Sequence, residues 1–283
     1  MGWSDWRQVE EFKLTDIVYE KRHLDRGGGA ARITINRPDR LNAFTDHTVD
    51  EMSIAFDDAS HDHSIGVIVL TGAGDRAFSS GGDVQWEAGG GLRRQFYHAH
   101  PPNHMLRMCR KPVIAAVKGY AIGGGNHLAY CCDFTIAAEN AIFGQNGPRV
   151  ASPADGYPVA YLTRVIGAKR AREMWMLCRR YNAQQALDMG LVNAVVPLAE
   201  IEREVERWCE EILALNPTCL EVLKASFDSD IDYMAGAFGR LSSLMAPDFF
   251  DGPDPKEAAD SFFAKRAPDF WQFRKPQNPR RGP

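Results

Sequence analysis

Hydrophobic positions follow two different periods along this chain. In the first half they come in short runs. Ala31-Arg-Ile-Thr-Ile-Asn36 alternates, whereas Ile65-Gly-Val-Ile-Val-Leu70, Pro112-Val-Ile-Ala-Ala-Val117 and Phe134-Thr-Ile-Ala-Ala138 are apolar almost throughout. Alternation predicts a half-buried strand, and a continuous β-branched run predicts a strand covered on both faces. Arg37-Pro38 ends the first strand, because proline has no N–H to continue a ladder. Val49, Met52 and Phe56 share one helical face between Asn42 and about Ala59, and a short helix is expected over Asn126–Cys132. Strands alternating with helices indicate an α/β fold with parallel pairing.

From about Pro158 the period becomes helical, over residues 158–166, 168–179 and 183–189, with a strand at Val192–Pro197. Ile201, Val205, Trp208, Ile212 and Leu215 then form one apolar stripe opposite Glu and Arg, and Asn216-Pro217 stops that helix and starts another. The boundary between an α/β core and a C-terminal helical region falls near residues 200–217, drawn as 1–205 and 206–283.

Composition narrows the class. The chain has 283 residues, 45% hydrophobic and 25% charged, which suits one large domain and excludes disordered and collagen-like chains. Lys and Arg number 33 against 37 Asp and Glu, so the basic excess of a general nucleic-acid binder is missing, and Arg280-Arg281 reads as a solvated tail. Uncharged apolar stretches are shorter than the roughly 18 residues a membrane span needs, and no secretory n-region or h-region opens the chain. Six cysteines without a CxxC pair, most within apolar patterns, read as reduced core thiols of a cytoplasmic protein.

Three motifs suggest chemistry. Gly72-x-Gly74-x-x-Ala77 follows a strand and imitates a dinucleotide fingerprint, but Phe78-Ser-Ser-Gly-Gly-Asp83 does not continue as the helix that fingerprint requires. His98-x-His100-x-x-x-His104 could suggest zinc; Pro101-Pro102 breaks any helix that would align the imidazoles, so a loop with incidental histidines is the better reading. The third motif is stronger. Ser79-Ser-Gly-Gly-Asp83 and Gly123-Gly-Gly125 are glycine-dense turns, each following a buried strand. Backbone N–H groups freed at such turns can converge on one oxygen, and a helix opening at Gly124 adds its positive end. That is the apparatus for stabilising an oxyanion or enolate.

These turns and their surroundings resemble the crotonase (enoyl-CoA hydratase/isomerase) family. The resemblance rests on Asn36-Arg-Pro-Asp-Arg-Leu-Asn-Ala-Phe44, Ala77-Phe-Ser-Ser-Gly-Gly-Asp83, Lys111 to Asn126 and Met189-Gly-Leu-Val-Asn-Ala-Val-Val-Pro197. Phe143-Gly-Gln-Asn-Gly-Pro-Arg149, Lys169 to Trp175 and Lys265-Arg-Ala-Pro-Asp-Phe270 are most similar to the subgroup of 1,4-dihydroxy-2-naphthoyl-CoA synthase and 2-ketocyclohexanecarboxyl-CoA hydrolase. The resemblance implies a spiral core of stacked β-sheets and helices, a homotrimer or homohexamer, and an acyl-CoA substrate. Coenzyme A then enters as part of the thioester, with no tightly bound cofactor or metal.

Residue by residue, the resemblance places the oxyanion hole on the N–H groups of Gly82 and Gly124. The turn carrying Arg40, Leu41 and Ala43, together with Ala77, would hold the CoA moiety, and Lys265 would reach its phosphate. Hydratases of the family carry one glutamate where this chain has His127 and another where it has Gly147. The subgroup's Ser-x-Asp becomes Ser152-Pro153-Ala154, and its C-terminal tyrosine becomes Phe250. Asp155 matches an aspartate of dienoyl-CoA isomerases and chlorobenzoyl-CoA dehalogenases. It is therefore expected to be the acid/base, with His127 beside it, Ser152 and Tyr157 as polar pocket groups, and Phe250 also in the substrate pocket. Its other reading is the cap of the helix beginning near Pro158. Loops such as 86–105 would complete the acyl pocket. The expected reaction is C–C bond cleavage or formation on a cyclic β-ketoacyl-CoA, such as hydrolytic ring opening. Enoyl-CoA hydration or isomerisation is the alternative, and a catalytically silent CoA-binding homologue a third.

Overall fold

A computed structural model describes residues 2–91, 103–231 and 244–274. Two sheets form the core. The larger orders its strands β1 (Arg7–Gln8), β2 (Ile17–His23), β3 (Gly29–Ile35), β4 (Ile65–Gly72), β6 (Val113–Val117), β8 (Phe134–Ala138) and β11 (Ala194–Val196). The smaller orders β10 (Arg180–Asn182), β9 (Ile142–Gly144), β7 (Tyr120–Ile122) and β5 (Ala77–Ser79). The chain leaves the large sheet after β4, β6 and β8, adds β5, β7 and β9 to the small one, and returns. That repeated excursion makes the expected spiral of stacked sheets. Parallel pairing runs from β3 through β11, while β1, β2 and the β9–β10 edge pair antiparallel.

The period of two explains how the sheet is covered. Ile68 and Leu70 of β4 point into the core between the sheets, together with Ile33, Ala115, Val117, Phe78 and Phe143. Val67 and Val69 point the other way, where Ile201, Val205, Cys209 and Ile212 of α8 (Ile201–Leu213) cover them. Both faces are therefore buried, and β4 reads as a continuous apolar run. The face of α8 packed on the sheet runs unbroken across residue 205.

Among the described residues the helices before α8 are α1 (Asp46–His61), α2 (Val84–Ala88), α3 (His104–Met108), α4 (Gly124–Cys131), α5 (Tyr157–Ile166), α6 (Ala168–Leu177) and α7 (Ala183–Asp188); α9 (Pro217–Ser229) and α10 (Pro253–Phe263) follow it. Helix α1 starts four residues later than its hydrophobic spacing suggests. Leu41 and Asn42 adopt left-handed backbone (φ 52° and 54°), and the helix begins only after Thr45, which caps it reciprocally with Thr48. Helix α4 starts two residues earlier than expected, at Gly124. The segment imitating a dinucleotide fingerprint runs from β4 through a turn into β5, with no helix there to receive a pyrophosphate. No described helix is long and apolar enough to cross a membrane.

Helix α9 is fastened to the core by a buried cation. Lys224 Nζ donates to Asp133 Oδ2 at 2.7 Å and to the Lys111 carbonyl at 3.0 Å. Further along the chain α10 packs against α2, the short helix that follows the first glycine turn.

Candidate active site

The segment Arg37–Phe44 is bonded to β5, the edge of the small sheet, and is clamped by one side chain. Asn42 is buried; its Nδ2 donates to the carbonyls of Ala73 (3.0 Å) and Ala77 (2.7 Å), and its Oδ1 accepts from Arg37 N (3.1 Å). Ser79 Oγ donates to the Asn42 carbonyl at 2.7 Å. Phe44 then pairs with the first glycine turn: its N–H donates to the Gly81 carbonyl and its carbonyl accepts from Asp83 N, both at 2.9 Å. This pairing leaves the N–H of Gly82 itself outside the ladder.

The second turn closes on the first. Gly123 has φ 57° and caps α4, so Gly124 is the first helical residue and its N–H has no partner within the helix. The fit is tight enough to require glycine. A Cβ on Gly81 would stand 2.9 Å from Gly124 N, one on Gly124 would stand 2.4 Å from Phe44 Cζ, and one on Gly125 would stand 2.1 Å from the Ser79 carbonyl oxygen. Gly82 and Gly124 both line a cavity of about 120 Å³.

The opposite wall is made of side chains. His127, one turn into α4, hydrogen-bonds Gln145 Oε1 through Nε2 at 3.1 Å and packs against Trp175, ring centroids 5.1 Å apart. The amide oxygen only accepts, so Nε2 carries the proton. Burial pushes the imidazole down to about 4 against the effect of that bond, so it is neutral at pH 7. Gln145 Nε2 and Trp175 Nε1 are buried without a hydrogen-bond partner among the described residues.

Glu87 of α2 completes the wall, and the sequence analysis did not single it out. It lies within the loop segment 86–105 expected to build the pocket; Asn103 from the same segment also lines the cavity. Asp83 caps α2 by accepting from Gln85 N (3.0 Å) and Trp86 N (3.3 Å), and the single turn that follows brings Glu87 back over Gly82. A Cβ on Gly82 would stand 2.1 Å from Glu87 Oε1. Burial raises this carboxyl to about 7; the Ser152 hydroxyl bound to it works downward and the Asp83 charge upward. A carboxylate five residues after Gly82 was the available signal.

The other expected residues fall in three groups. Gly82, Gly124, His127 and Ser152 line the cavity. Asp155 is buried in the turn before α5 but does not line it; the N-cap position of α5 is held by Gly156, one residue further on. Tyr157 is buried, stacked on Tyr161 at 5.1 Å and hydrogen-bonded to Cys131; Phe250 packs edge-on to Phe249. Neither ring lines the cavity. Leu41, Ala43 and Ala77 belong to the Asn42 clamp, with the Ala77 carbonyl already bound; Arg40 and Lys265 are exposed. His98, His100 and Arg280-Arg281 lie outside the described residues, among which no cluster of metal-ligating groups forms.

A family model for enoyl-CoA hydratase/isomerase matches residues 25–274. The chain belongs to this family. Solved structures agree across most of its length. An enoyl-CoA hydratase from Mycobacterium avium subsp. paratuberculosis K-10 is 27% identical with a TM-score of 0.76, covering 91% of this chain and 99% of that one. An enoyl-CoA hydratase from Bacillus anthracis is 28% identical with a TM-score of 0.69, over 90% and 99%. A monofunctional enoyl-CoA isomerase from M. smegmatis is 32% identical with a TM-score of 0.62, over 77% and 94%. The chain is thus a crotonase-family acyl-CoA enzyme.

Proposed function

We propose that the protein forms a thioester enolate from an acyl-CoA substrate at Gly82 and Gly124, and turns over enoyl-CoA thioesters by moving a proton beside the thioester carbonyl. The observation that carries this reading is the meeting of the two turns. Gly124 N is 2.9 Å from where a Cβ on Gly81 would stand, and Gly82 and Gly124 line one cavity, so two main-chain donors would open on it. Donors fixed in advance on a developing oxyanion lower the barrier without reorganising during the reaction. Isomerisation comes ahead of hydration, because the two positions that carry glutamate in the family's hydratases hold His127 and Gly147. The likeness to a monofunctional isomerase supports the same order.

Ring opening of a cyclic β-ketoacyl-CoA is the second reading, and one observation favours it. Gln145 Nε2 and Trp175 Nε1 are buried donors on the cavity wall without a partner among the described residues, and a ring ketone oxygen would accept from both. Water would add to that ketone, and the ring C–C bond would break toward the same enolate. In either reading the Arg37–Phe44 turn, Ala77 and Lys265 would hold coenzyme A as part of the substrate. A cytoplasmic homotrimer or homohexamer is the expected assembly, for which Val222 and Phe227 on exposed faces of α9 offer apolar surface.

The test is mass spectrometry of trans-3-hexenoyl-CoA, crotonyl-CoA and 2-ketocyclohexanecarboxyl-CoA after incubation in heavy-oxygen water. A double-bond shift without mass change is the expected result. A ring-opened product one water heavier would move the second reading to the front. If no thioester is converted and none exchanges its α-proton with solvent deuterium, the enolate reading is wrong.

A further inference from the structure

We propose that Glu87 is the catalytic acid/base of this pocket, taking the proton from the acyl chain and returning it from the same carboxyl group, with Ser152 as its positioning residue. The assignment rests on the enolate reading above and names the group that reading needs. Glu87 supplies the one carboxylate among the described residues lining the cavity. Its oxygen stands where a side chain on Gly82 would begin, 2.1 Å from the position of a Cβ there. Only glycine at 82 leaves that space open.

The surroundings hold the group in place. Asp83 fixes the start of α2, α10 packs against that helix, and the Ser152 hydroxyl binds the carboxyl from the same wall. The charged and titratable groups around it are few. Asp83 is paired with Arg37 (Nη2 to Oδ2, 3.3 Å), and His127 is neutral with its Nε2 proton committed to Gln145. Asp155 is buried and does not line the cavity.

A single carboxylate suits a shuttle better than an addition. Glu87 takes the C2 proton of a 3-enoyl thioester, and the C–H electron pair enters a dienolate whose oxygen rests on the Gly82 and Gly124 N–H groups. The same carboxyl then delivers that proton to C4, the electrons close the C2–C3 double bond, and Glu87 is again a carboxylate. No water and no second acid enter the balance. Such a base works best when its pKa lies near the working pH, and burial has brought Glu87 there.

The experiment measures deuterium exchange at the α-carbon of butyryl-CoA and conversion of trans-3-hexenoyl-CoA by the full chain and by Glu87→Gln and Ser152→Ala. Thioester binding and thermal melting serve as controls for folding. Glu87→Gln is expected to bind butyryl-CoA normally and to lose exchange and conversion by about 10³-fold. For the unsubstituted protein kcat/KM should rise with pH through an inflection near 7, and Ser152→Ala should move that inflection upward, since the hydroxyl favours the ionised form. A folded Glu87→Gln that keeps a tenth or more of the exchange overturns the assignment while leaving the enolate reading intact. Absence of exchange by the unsubstituted protein, despite thioester binding, removes the enolate reading and the assignment with it.

Discussion

The two walls of the cavity are built on opposite principles. One is main chain: the Gly82 and Gly124 turns, fixed by Phe44, Asn42 and Ser79 through buried hydrogen bonds and packed so closely that a methyl group would collide. The other is side chain: Glu87 on a five-residue helix, His127, Gln145 and Ser152. In the proposed function the main-chain wall offers the N–H groups of Gly82 and Gly124, which stabilise negative charge whatever the acyl group is. A side-chain wall decides which proton moves. The first is therefore set by the fold, and the second is where reactions within one fold diverge.

Substitution in the main-chain wall should have the largest effect. In Gly124→Ala the methyl would stand 2.4 Å from Phe44 Cζ, and Phe44 is buried with little room to yield. The hole is blocked or widened, so kcat should fall by about 10²–10³-fold, as when an oxyanion donor is lost. Thioester exchange at the α-carbon would report it directly. A variant with near-normal exchange would break the contrast between the walls.

Next comes the clamp behind that wall. Asn42→Ala leaves the Ala73 and Ala77 carbonyls and the Arg37 N–H without their bonds, and places alanine at φ 54°. Unpaired buried groups of this kind cost about 1–3 kcal/mol each when nothing replaces the partner. A loss of roughly 3 kcal/mol in denaturant unfolding is expected, with KM for acyl-CoA raised more than kcat is lowered. A change confined to kcat would show that the clamp positions the hole rather than the CoA segment.

What could be read in the sequence divides along the same line. Strands β4, β6 and β8 were legible because burial on both faces leaves an apolar run that nothing else in the chain imitates. The glycine turns were legible because left-handed backbone and close approach select one residue type. The smaller sheet was not, since β5, β7, β9 and β10 are three residues each and show no period; pairing with neighbours distant in sequence creates them. Strand β2 escaped because Glu20, Lys21 and Arg22 look like loop; in the fold Glu20 pairs with Arg32, and Arg22 lies over Trp3 and Trp6. Glu87 escaped for a related reason. One acid in a short helix resembles any surface acid until the chain turns back over Gly82, whereas Asp155 matched a family position and yet sits off the cavity.

The side-chain wall carries a stability signature that needs no substrate. The Glu87 carboxyl is raised from 4.5 to about 7, so between those values the folded protein holds a proton that the unfolded chain has released. Its contribution to stability is full below pH 4.5 and is lost as pH rises through 7. His127, lowered from 6.5 to about 4, runs the other way: its contribution is full above 6.5 and is lost as pH falls toward 4. The two slopes oppose each other between 4.5 and 6.5. Glu87→Gln removes one of them, so the variant should gain stability relative to the unsubstituted protein as pH rises from 4.5 to 7, by on the order of 2 kcal/mol. Urea midpoints at a series of pH values measure it; a difference independent of pH would place the Glu87 carboxyl in water.

The smallest expected effect sharpens the comparison most, because it has a sign. Asp83 caps α2 and its charge pushes the Glu87 carboxyl upward, after the larger effects of burial and the Ser152 bond. Asp83→Asn keeps a side-chain oxygen for the cap, so the helix should persist with a loss of under about 1 kcal/mol. The charge goes, and the inflection of kcat/KM near 7 should move to lower pH by a fraction of a unit, opposite to the shift in Ser152→Ala. Opposed shifts from two sides of one carboxyl are difficult to produce through a general loosening of the site. If both variants move the inflection the same way, the titrating group is something other than Glu87, and the wall of side chains must be assigned again.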